Sequence, residues 1–514
     1  MSRLHNTLPT VDVKPRRLGA LAGALEAHGL GRLAHGDADT RIDRVTMDSR
    51  QAGPGALFAA VTPDTAAGRD GHQFVEAALS GGTSAALVSD AWLASTPLPL
   101  GKGEYLAGAA LVSARDTRAA LAEVAADLHG HPAAAFDAVG VTGTNGKTTT
   151  TFLLHHVLTA LGGTVGLVGT IENRIGSARY ATAFTTPEAP ALQRFLAACR
   201  DAGCTAVAME VSSHGLALDR VRAVPFRAAV FTNLTRDHLD FHASFQEYLG
   251  AKKRLFDGLD AQAVAIVNAD DEHAAAMTAD SAARVVTFGT SAEADVRVEV
   301  LSNTLDGLRL RLDGVEVQTR MLGRFNALNL AAAYAVAREL GYAPADVRAA
   351  LETATGVPGR FETVRSADGV LGVVDYAHTP DALDNVLATA GEIVPEGNAL
   401  WVVFGAGGDR DAGKRAPMGE TAARRADAVV LTSDNPRTED PEAILDGVAA
   451  GAPGATRIAD RRDAIRHAAA EARSGDVIVV AGKGHETYQI VGGQRLDFDD
   501  RAELRAAFAL RETA

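Results

Sequence analysis

The chain is predicted to be an α/β protein of three domains: a small α/β domain, a central phosphate-loop domain built on a parallel sheet, and a C-terminal Rossmann-like domain. Three observations carry this. The segment Val139-Gly140-Val141-Thr142-Gly143-Thr144-Asn145-Gly146-Lys147-Thr148-Thr149 sets a glycine-rich turn between an apolar strand and an amphipathic helix. Short apolar runs that end in polar or Gly-rich turns alternate with helical segments, the pattern of parallel sheets. The length of 514 residues exceeds what one hydrophobic core organises.

Residues 1–132 read as the small α/β domain. Apolar runs such as Ala56-Leu57-Phe58-Ala59-Ala60-Val61 and Ala85-Ala86-Leu87-Val88 alternate there with helical segments such as 74–79. His129-Gly130-His131-Pro132 breaks the preceding Ala-rich helix and links to the central domain, 133–356. Strands are expected there at 139–142, 164–168, 206–210, 228–232 and 263–268, separated mostly by helices. Gly356-Val357-Pro358-Gly359 marks the second boundary. The third domain, 357–514, repeats the pattern with apolar strands at 373–375, 400–404, 428–432 and 477–481. Gly405-Ala406-Gly407-Gly408 fails the dinucleotide spacing at Arg410, so nicotinamide-cofactor binding is not expected.

Composition narrows the class. Hydrophobic residues at 47% and charged residues at 22% describe an ordinary globular protein with material for several cores. A net charge of −14 argues against nucleic-acid or anionic-membrane binding, though a local basic pocket for phosphates remains compatible with it. Cys199 and Cys204 fit no metal or redox spacing and are expected on one helix, reduced and buried. No window approaches the roughly 18 apolar residues of a membrane span, and no secretory leader is evident, so a cytoplasmic protein is expected.

The chemistry begins at the loop. Backbone N–H groups at a helix N-terminus attract anions, Gly143 and Gly146 let the backbone approach a triphosphate, and Lys147 adds a point charge for the outer phosphates. The Thr148 hydroxyl suits Mg²⁺. The common consensus has glycine where this chain has Val141. Two further residues follow apolar strands, where ligands gather in parallel sheets. Glu210, in Met209-Glu210-Val211-Ser212-Ser213-His214-Gly215, suits an Mg²⁺ ligand, and His238 lies in Thr232-Asn233-Leu234-Thr235-Arg236-Asp237-His238-Leu239-Asp240.

Thr142-Gly143-Thr144-Asn145-Gly146-Lys147-Thr148-Thr149 resembles the variant loop of the Mur ligase family, ATP-dependent enzymes that form amide bonds in peptidoglycan and folylpolyglutamate synthesis. The Glu210 and His238 segments, Leu322-Gly323-Arg324-Phe325-Asn326-Ala327-Leu328-Asn329, Asp375-Tyr376-Ala377-His378, Asp434-Asn435-Pro436-Arg437 and Gly482-Lys483-Gly484-His485-Glu486 then follow in the order of its diaminopimelate-adding members. The resemblance runs from about residue 40 to the C-terminus.

It implies an ATP-dependent ligase that joins meso-2,6-diaminopimelate to UDP-N-acetylmuramoyl-L-alanyl-D-glutamate through an acyl phosphate, in peptidoglycan precursor synthesis, with the small N-terminal domain binding UDP. Gly143, Thr144, Asn145, Gly146, Lys147, Thr148, Thr149, Asn326, Asn329, Arg360 and Asp375 would bind ATP, the last two after domain closure. Thr148, Glu210, His238 and Lys252, the last as a CO₂-derived carbamate, would hold Mg²⁺. A carbamate turns a cation into an anionic oxygen ligand. Lys147, Glu210, His238 and Lys252 are the implied catalytic set. Met47, Ser49, Thr65, Thr185, Thr186, Ser212 and Arg220 match the UDP-precursor contacts, although Phe184 and Leu218 replace residues that are often polar in the family.

Arg410, Asp434, Asn435, Pro436, Arg437, Gly482 and Glu486 match the amino-acid site. Arg437 offers a planar fork to the distal carboxylate of diaminopimelate, and Glu486 suits its distal ammonium. Lysine would face an unpaired guanidinium. The alternatives are a lysine-adding or folylpolyglutamate ligase, disfavoured by Arg437 and the complete N-terminal domain, and a non-catalytic nucleotide-gated regulator. Partners are expected to be small molecules alone, with neither nucleic acid nor membrane insertion, and the chain a monomer.

Overall fold

The computed structural model describes residues 4–63, 68–96, 110–238, 241–304 and 306–511. They fall into two compact units, Met1–Val296 with Ala332–Val347, and Arg297–Ala331 with Arg348–Ala514.

The first unit holds two principal sheets and a short antiparallel pair, Arg16–Arg17 with Arg41–Ile42. A five-stranded one runs in the order Gly31–His35, Ala110–Ala114, Ala85–Ser89, Ala56–Ala59, Arg44–Thr46, antiparallel at the first pairing and parallel thereafter. Leu18–Ala27 and Thr117–Leu128 bury apolar faces against it around Leu57, Leu87 and Val112. Asp116 caps the latter helix by accepting from the N–H groups of Arg118 and Ala119, two of the donors a helix start leaves unpaired. That helix also packs on Ala189–Asp201 of the central sheet's layer, which is why the two sheets form one unit while keeping separate cores.

The central sheet has a parallel heart in the order Val165–Val168, Ala206–Glu210, Asp137–Thr142, Phe226–Phe231, Val264–Asn268, Arg284–Gly289. Its inner strands are mostly apolar and buried because both faces are covered, while the edge strand Arg284–Gly289 opens on exposed Arg284 and Val285. The strand that leads into the phosphate loop is flanked by those ending at Glu210 and Phe231, so three loops with chemical content emerge together at the carboxyl ends, where open parallel sheets bind ligands.

The second unit carries an antiparallel sheet, Val296–Thr304, Gly307–Leu312 and Val315–Thr319. Its principal sheet runs Glu362–Arg365, Leu371–Asp375, Val477–Ala481, Leu400–Phe404, Ala428–Leu431, Thr456–Arg457, parallel after the first antiparallel pair. A hairpin, Tyr488–Val491 with Gln494–Asp497, follows. Among the described residues no helix is long and apolar enough to cross a membrane.

Two expectations are corrected. Cys204 does not share the helix of Cys199: Ala189–Asp201 ends at a turn through Gly203, whose φ of 73° no longer continues a helix. Both thiols are buried and free. The segment 74–79 is helical only from Val75 to Ser80, after a 3₁₀ turn at Gly71–Phe74.

Candidate functional site

Asp137–Thr142 delivers the chain to Gly143, and the helix Lys147–Ala160 begins after Gly146. Both glycines have positive φ, 145° and 84°. A Cβ at Gly143 would stand 2.0 Å from Thr232 Oγ1, so the close approach itself requires glycine. The next strand buttresses the loop. Asn233 accepts from the N–H groups of Thr144, through its carbonyl at 2.8 Å, and of Asn145, through Oδ1 at 2.8 Å. Lys147 Nζ donates to the Gly143 and Thr144 carbonyls at 2.8 Å each, folded over the loop it serves.

At the inner end, Thr148 Oγ1 donates to Glu210 Oε2 at 2.9 Å. Glu210 is 1% exposed and also accepts from the Thr170 N–H at 2.8 Å and the Thr170 hydroxyl at 3.0 Å. A hydroxyl and a carboxylate beside a phosphate cradle are hard oxygen donors suited to Mg²⁺, which binds through few protein ligands plus water and phosphate. Among the described residues no group of three or more His, Cys, Asp and Glu side chains is placed to hold a metal ion.

Lys252 lies on the inner face of Phe245–Asp257, beside Tyr248, Leu255 and Phe256. Its side chain is 1% exposed, donates to the Gly143 carbonyl at 2.8 Å and sits 4.6 Å from the centre of the Tyr248 ring. Burial, followed by repulsion from Lys147, holds Lys252 well below the usual lysine range, which favours the neutral amine. Lys253 instead faces out and pairs with Asp257 and Asp280. His238, at φ 53°, packs edge-on to His214 with ring centroids 5.0 Å apart and 6.1 Å from Tyr248.

The expected precursor contacts cluster next to Glu210. Thr185 Oγ1 lies 3.0 Å from Thr170 Oγ1, while Thr186 Oγ1 donates to the Glu210 carbonyl at 2.9 Å and accepts from the Ser212 N–H at 3.0 Å. Ser212 caps Ser213–Ala217 through the Gly215 N–H. Arg220 donates to the Thr186 carbonyl at 3.0 Å, pairs with Glu188 and stacks 5.0 Å over the ring of Phe184. Met47 and Ser49 are half-buried just after the strand Arg44–Thr46 of the five-stranded sheet, Ser49 opening the 3₁₀ turn Ser49–Gln51. Thr65 lies outside the described residues.

In the second unit, a cavity of about 280 Å³ is lined by Arg320, Leu322, Asn326, Gly356, Arg360 and Phe361, among others. Asn326 donates to the Leu322 carbonyl at 2.7 Å, and Asn329 donates to Asn326 Oδ1 at 3.0 Å. Arg360 stacks 4.7 Å from the Tyr376 ring centre. Asp375 accepts from the N–H groups of Phe361 at 2.7 Å and Ala377 at 2.8 Å; burial raises its carboxyl against the opposing pull of Arg360.

The expected amino-acid residues meet at the strand ends of the same unit. Asn435 Nδ2 donates to Glu486 Oε2 at 2.9 Å, Arg437 donates to the Gly408 carbonyl at 2.5 Å, and Gly482 adopts φ 117° with its Cα facing Asp434. Pro436 lies buried between Asn435 and Arg437. The hairpin clamps this loop, since the Arg437 N–H donates to the Ile490 carbonyl at 3.0 Å and Gln489 to the Asp434 carbonyl at 2.8 Å. Arg410 is exposed beside it. Sequence reasoning missed Thr170, which holds Glu210, and Lys483, which joins Asn435 to Glu486 at 3.1 Å each. A strand-end threonine and a lysine inside an otherwise matched motif were the available signals.

A model of the Mur ligase middle domain matches residues 141–337, and one of the Mur ligase, glutamate ligase domain, matches 359–484. The UDP-N-acetylmuramoyl-L-alanyl-D-glutamate--2,6-diaminopimelate ligase of Bacteroides thetaiotaomicron is 41% identical across 92% of this chain and 96% of its own length. The enzyme of that name from Geobacillus kaustophilus is also 41% identical, across 94% of this chain and 98% of its own. A solved structure of a ligase of that name superposes with a TM-score of 0.68 at 34% identity, covering 97% of this chain and all of the other. The chain belongs to the Mur ligase family.

Proposed function

We propose that the protein is an ATP-dependent ligase that adds meso-2,6-diaminopimelate to UDP-N-acetylmuramoyl-L-alanyl-D-glutamate, a step of peptidoglycan precursor synthesis. The observation that carries the reading is the buried Thr148–Glu210 pair at the mouth of a glycine-built phosphate loop, joined to a chain whose relatives perform this reaction over nearly its full length. The domain division 1–132, 133–356 and 357–514, a cytoplasmic location and a monomeric state belong to the same proposal.

The D-glutamate γ-carboxylate attacks the γ-phosphorus of ATP, the β–γ bridging oxygen leaves with ADP, and an acyl phosphate results. The diaminopimelate amine then attacks the acyl carbon, inorganic phosphate departs, and the amine loses a proton as the amide forms. The protein's part is positioning and charge neutralisation. Loop N–H groups from Gly143 to Thr149 and the Lys147 ammonium take the phosphates. Thr185, Thr186, Ser212 and Arg220 orient the precursor beside them, with Met47, Ser49 and Thr65 toward its UDP end. In the second unit, Asn326 borders the cavity suited to adenine with Asn329 donating to its side chain, Arg360 and Asp375 serve as further nucleotide contacts, and Arg437 with Glu486 binds the distal end of the amino acid.

Thr148, Glu210, His238 and a carbamate on Lys252 would hold Mg²⁺, which when bound neutralises phosphate charge. Lys252 suits the modification: a neutral amine attacks CO₂, a C–N bond forms and one proton is released. The cation that would repel a metal then becomes an anionic ligand. The test is Mg²⁺-dependent phosphate release by Lys252→Ala with and without added short-chain carboxylates or carbamates. Loss of activity with partial recovery is expected, and full activity without any additive would refute the role.

A further inference from the structure

At the carboxyl ends of Ala428–Leu431 and Val477–Ala481, the loop Asp434-Asn435-Pro436-Arg437 faces the loop Gly482-Lys483-Gly484-His485-Glu486. Lys483 is fully buried between them. Its ammonium lies 3.1 Å from Asn435 Oδ1, 3.1 Å from Glu486 Oε2 and 3.7 Å from Asp434 Oδ1. A lysine is buried as a cation only where acceptors surround it, and here two carboxylates and an amide oxygen do.

Three consequences follow. Asn435 Oδ1 accepts from both Lys483 and the Ile490 N–H at 2.9 Å, which fixes the amide so that Nδ2 points toward Glu486. Glu486 Oε2 receives Lys483 and Asn435, whereas Oε1 has a Tyr488 hydroxyl at 3.5 Å, so Oε1 is the more open acceptor. The third is electrostatic. The two loops carry two carboxylates, Asp434 and Glu486, and two cations, Lys483 and Arg437, and their charges cancel.

We propose that Lys483 is a specificity-determining positioning residue: by balancing the pocket's charge it tunes the site to a ligand end bearing both an ammonium and a carboxylate on one carbon, and against a lone ammonium. The inference rests on reading this pocket as the amino-acid site. A zwitterionic end enters a balanced pocket without altering its charge, while a lone ammonium leaves one positive charge uncompensated in a desolvated place. Removing Lys483 gives the two loops a net negative charge, which reverses that bias. Exposed Arg410, and Lys414, whose Nζ donates to the His378 carbonyl at 2.8 Å, add positive charge from the neighbouring loop. A substitution at 483 shifts the sum by one unit whatever they contribute.

The experiment compares kcat/KM for meso-diaminopimelate and L-lysine in the full-length enzyme, its Lys483→Met and Lys483→Arg variants, and Asp434→Asn. In Lys483→Met the preference for diaminopimelate over lysine is expected to fall about tenfold or more, through a higher KM for diaminopimelate, with KM for ATP unchanged. Lys483→Arg keeps the charge and should keep the preference within about threefold. Asp434→Asn shifts the charge the opposite way without removing a buried cation, and should raise the preference; it serves also if Lys483→Met does not fold. Equal losses for both amino acids in Lys483→Met, or an unchanged preference in Asp434→Asn, would overturn the inference. No turnover of diaminopimelate by the unaltered enzyme would overturn the ligase reading and this inference with it, whereas normal turnover with unmoved preferences counts against Lys483 alone.

Discussion

Glu210 separates a charged ligand from a merely structural side chain, and two substitutions resolve the difference. Its carboxylate, 1% exposed, accepts the Thr148 hydroxyl at 2.9 Å, the Thr170 N–H at 2.8 Å and the Thr170 hydroxyl at 3.0 Å. In Glu210→Gln the amide oxygen can retain the Thr170 N–H, and the new NH₂ replaces Oε2, where both partners are hydroxyls able to rotate and accept. The network survives, so stability should change by about 1 kcal/mol or less. Glu210→Ala deletes all three acceptor contacts and opens a cavity, at a cost of about 2–5 kcal/mol. Catalysis should not distinguish the two, because each removes the negative charge beside the phosphates: kcat is expected to drop by at least about 100- to 1,000-fold in both. Urea unfolding and ATP-dependent phosphate release on the same preparations give both quantities. A Glu210→Gln variant as unstable as Glu210→Ala, or one that keeps more than about a tenth of wild-type turnover, would refute the assignment.

Other expectations follow from single groups. Because the folded pKa of Lys252 lies below its unfolded value, the unfolded chain binds the proton between the two, and stability of the unmodified protein rises with pH across that window. Lys252→Met should therefore melt no lower than wild type at pH 7 in bicarbonate-free buffer, show a weaker rise toward pH 9, and be inactive; a lower melting temperature at pH 7 contradicts this. Arg461 pairs with Asp500 through two bonds of 2.7 Å with both side chains fully buried, and donates to the Ala481 carbonyl beside Gly482. Arg461→Met should cost about 3–5 kcal/mol in urea unfolding by stranding Asp500, and Arg461→Met with Asp500→Leu should recover most of it. Gly143→Ala forces a Cβ to within 2.0 Å of Thr232 Oγ1 at φ 145°, so the loop must shift; ATP turnover should be lost while far-ultraviolet circular dichroism is retained.

The parallel sheets were legible because buried strands are apolar runs with polar stops. Ala206–Glu210, Leu400–Phe404 and Val477–Ala481 were located to the residue, each closed by a glycine, a charge or a turn. The antiparallel strands from Val296 to Thr319 were not read, because exposed polar residues alternate with Val298, Leu308, Leu310 and Leu312 and dilute the signal. The phosphate loop carries its own local grammar of glycine, lysine and threonine. Lys252 and Lys253 are indistinguishable by composition; helical spacing from Tyr248 to Lys252 to Phe256 puts the first inward and leaves the second with Asp257 and Asp280. Thr170 acts on Glu210 and Lys483 on Asn435, each pair dozens of residues apart, which one sequence alone does not reveal.

The most direct test is phosphate release from ATP by the purified protein with UDP-N-acetylmuramoyl-L-alanyl-D-glutamate and Mg²⁺, comparing meso-diaminopimelate with L-lysine, before and after Arg437→Ala. Release that requires diaminopimelate, prefers it over lysine and loses that preference in Arg437→Ala is the expected result. Equal or greater release with lysine would contradict the account of Arg437, and no release with either amino acid would contradict the ligase itself.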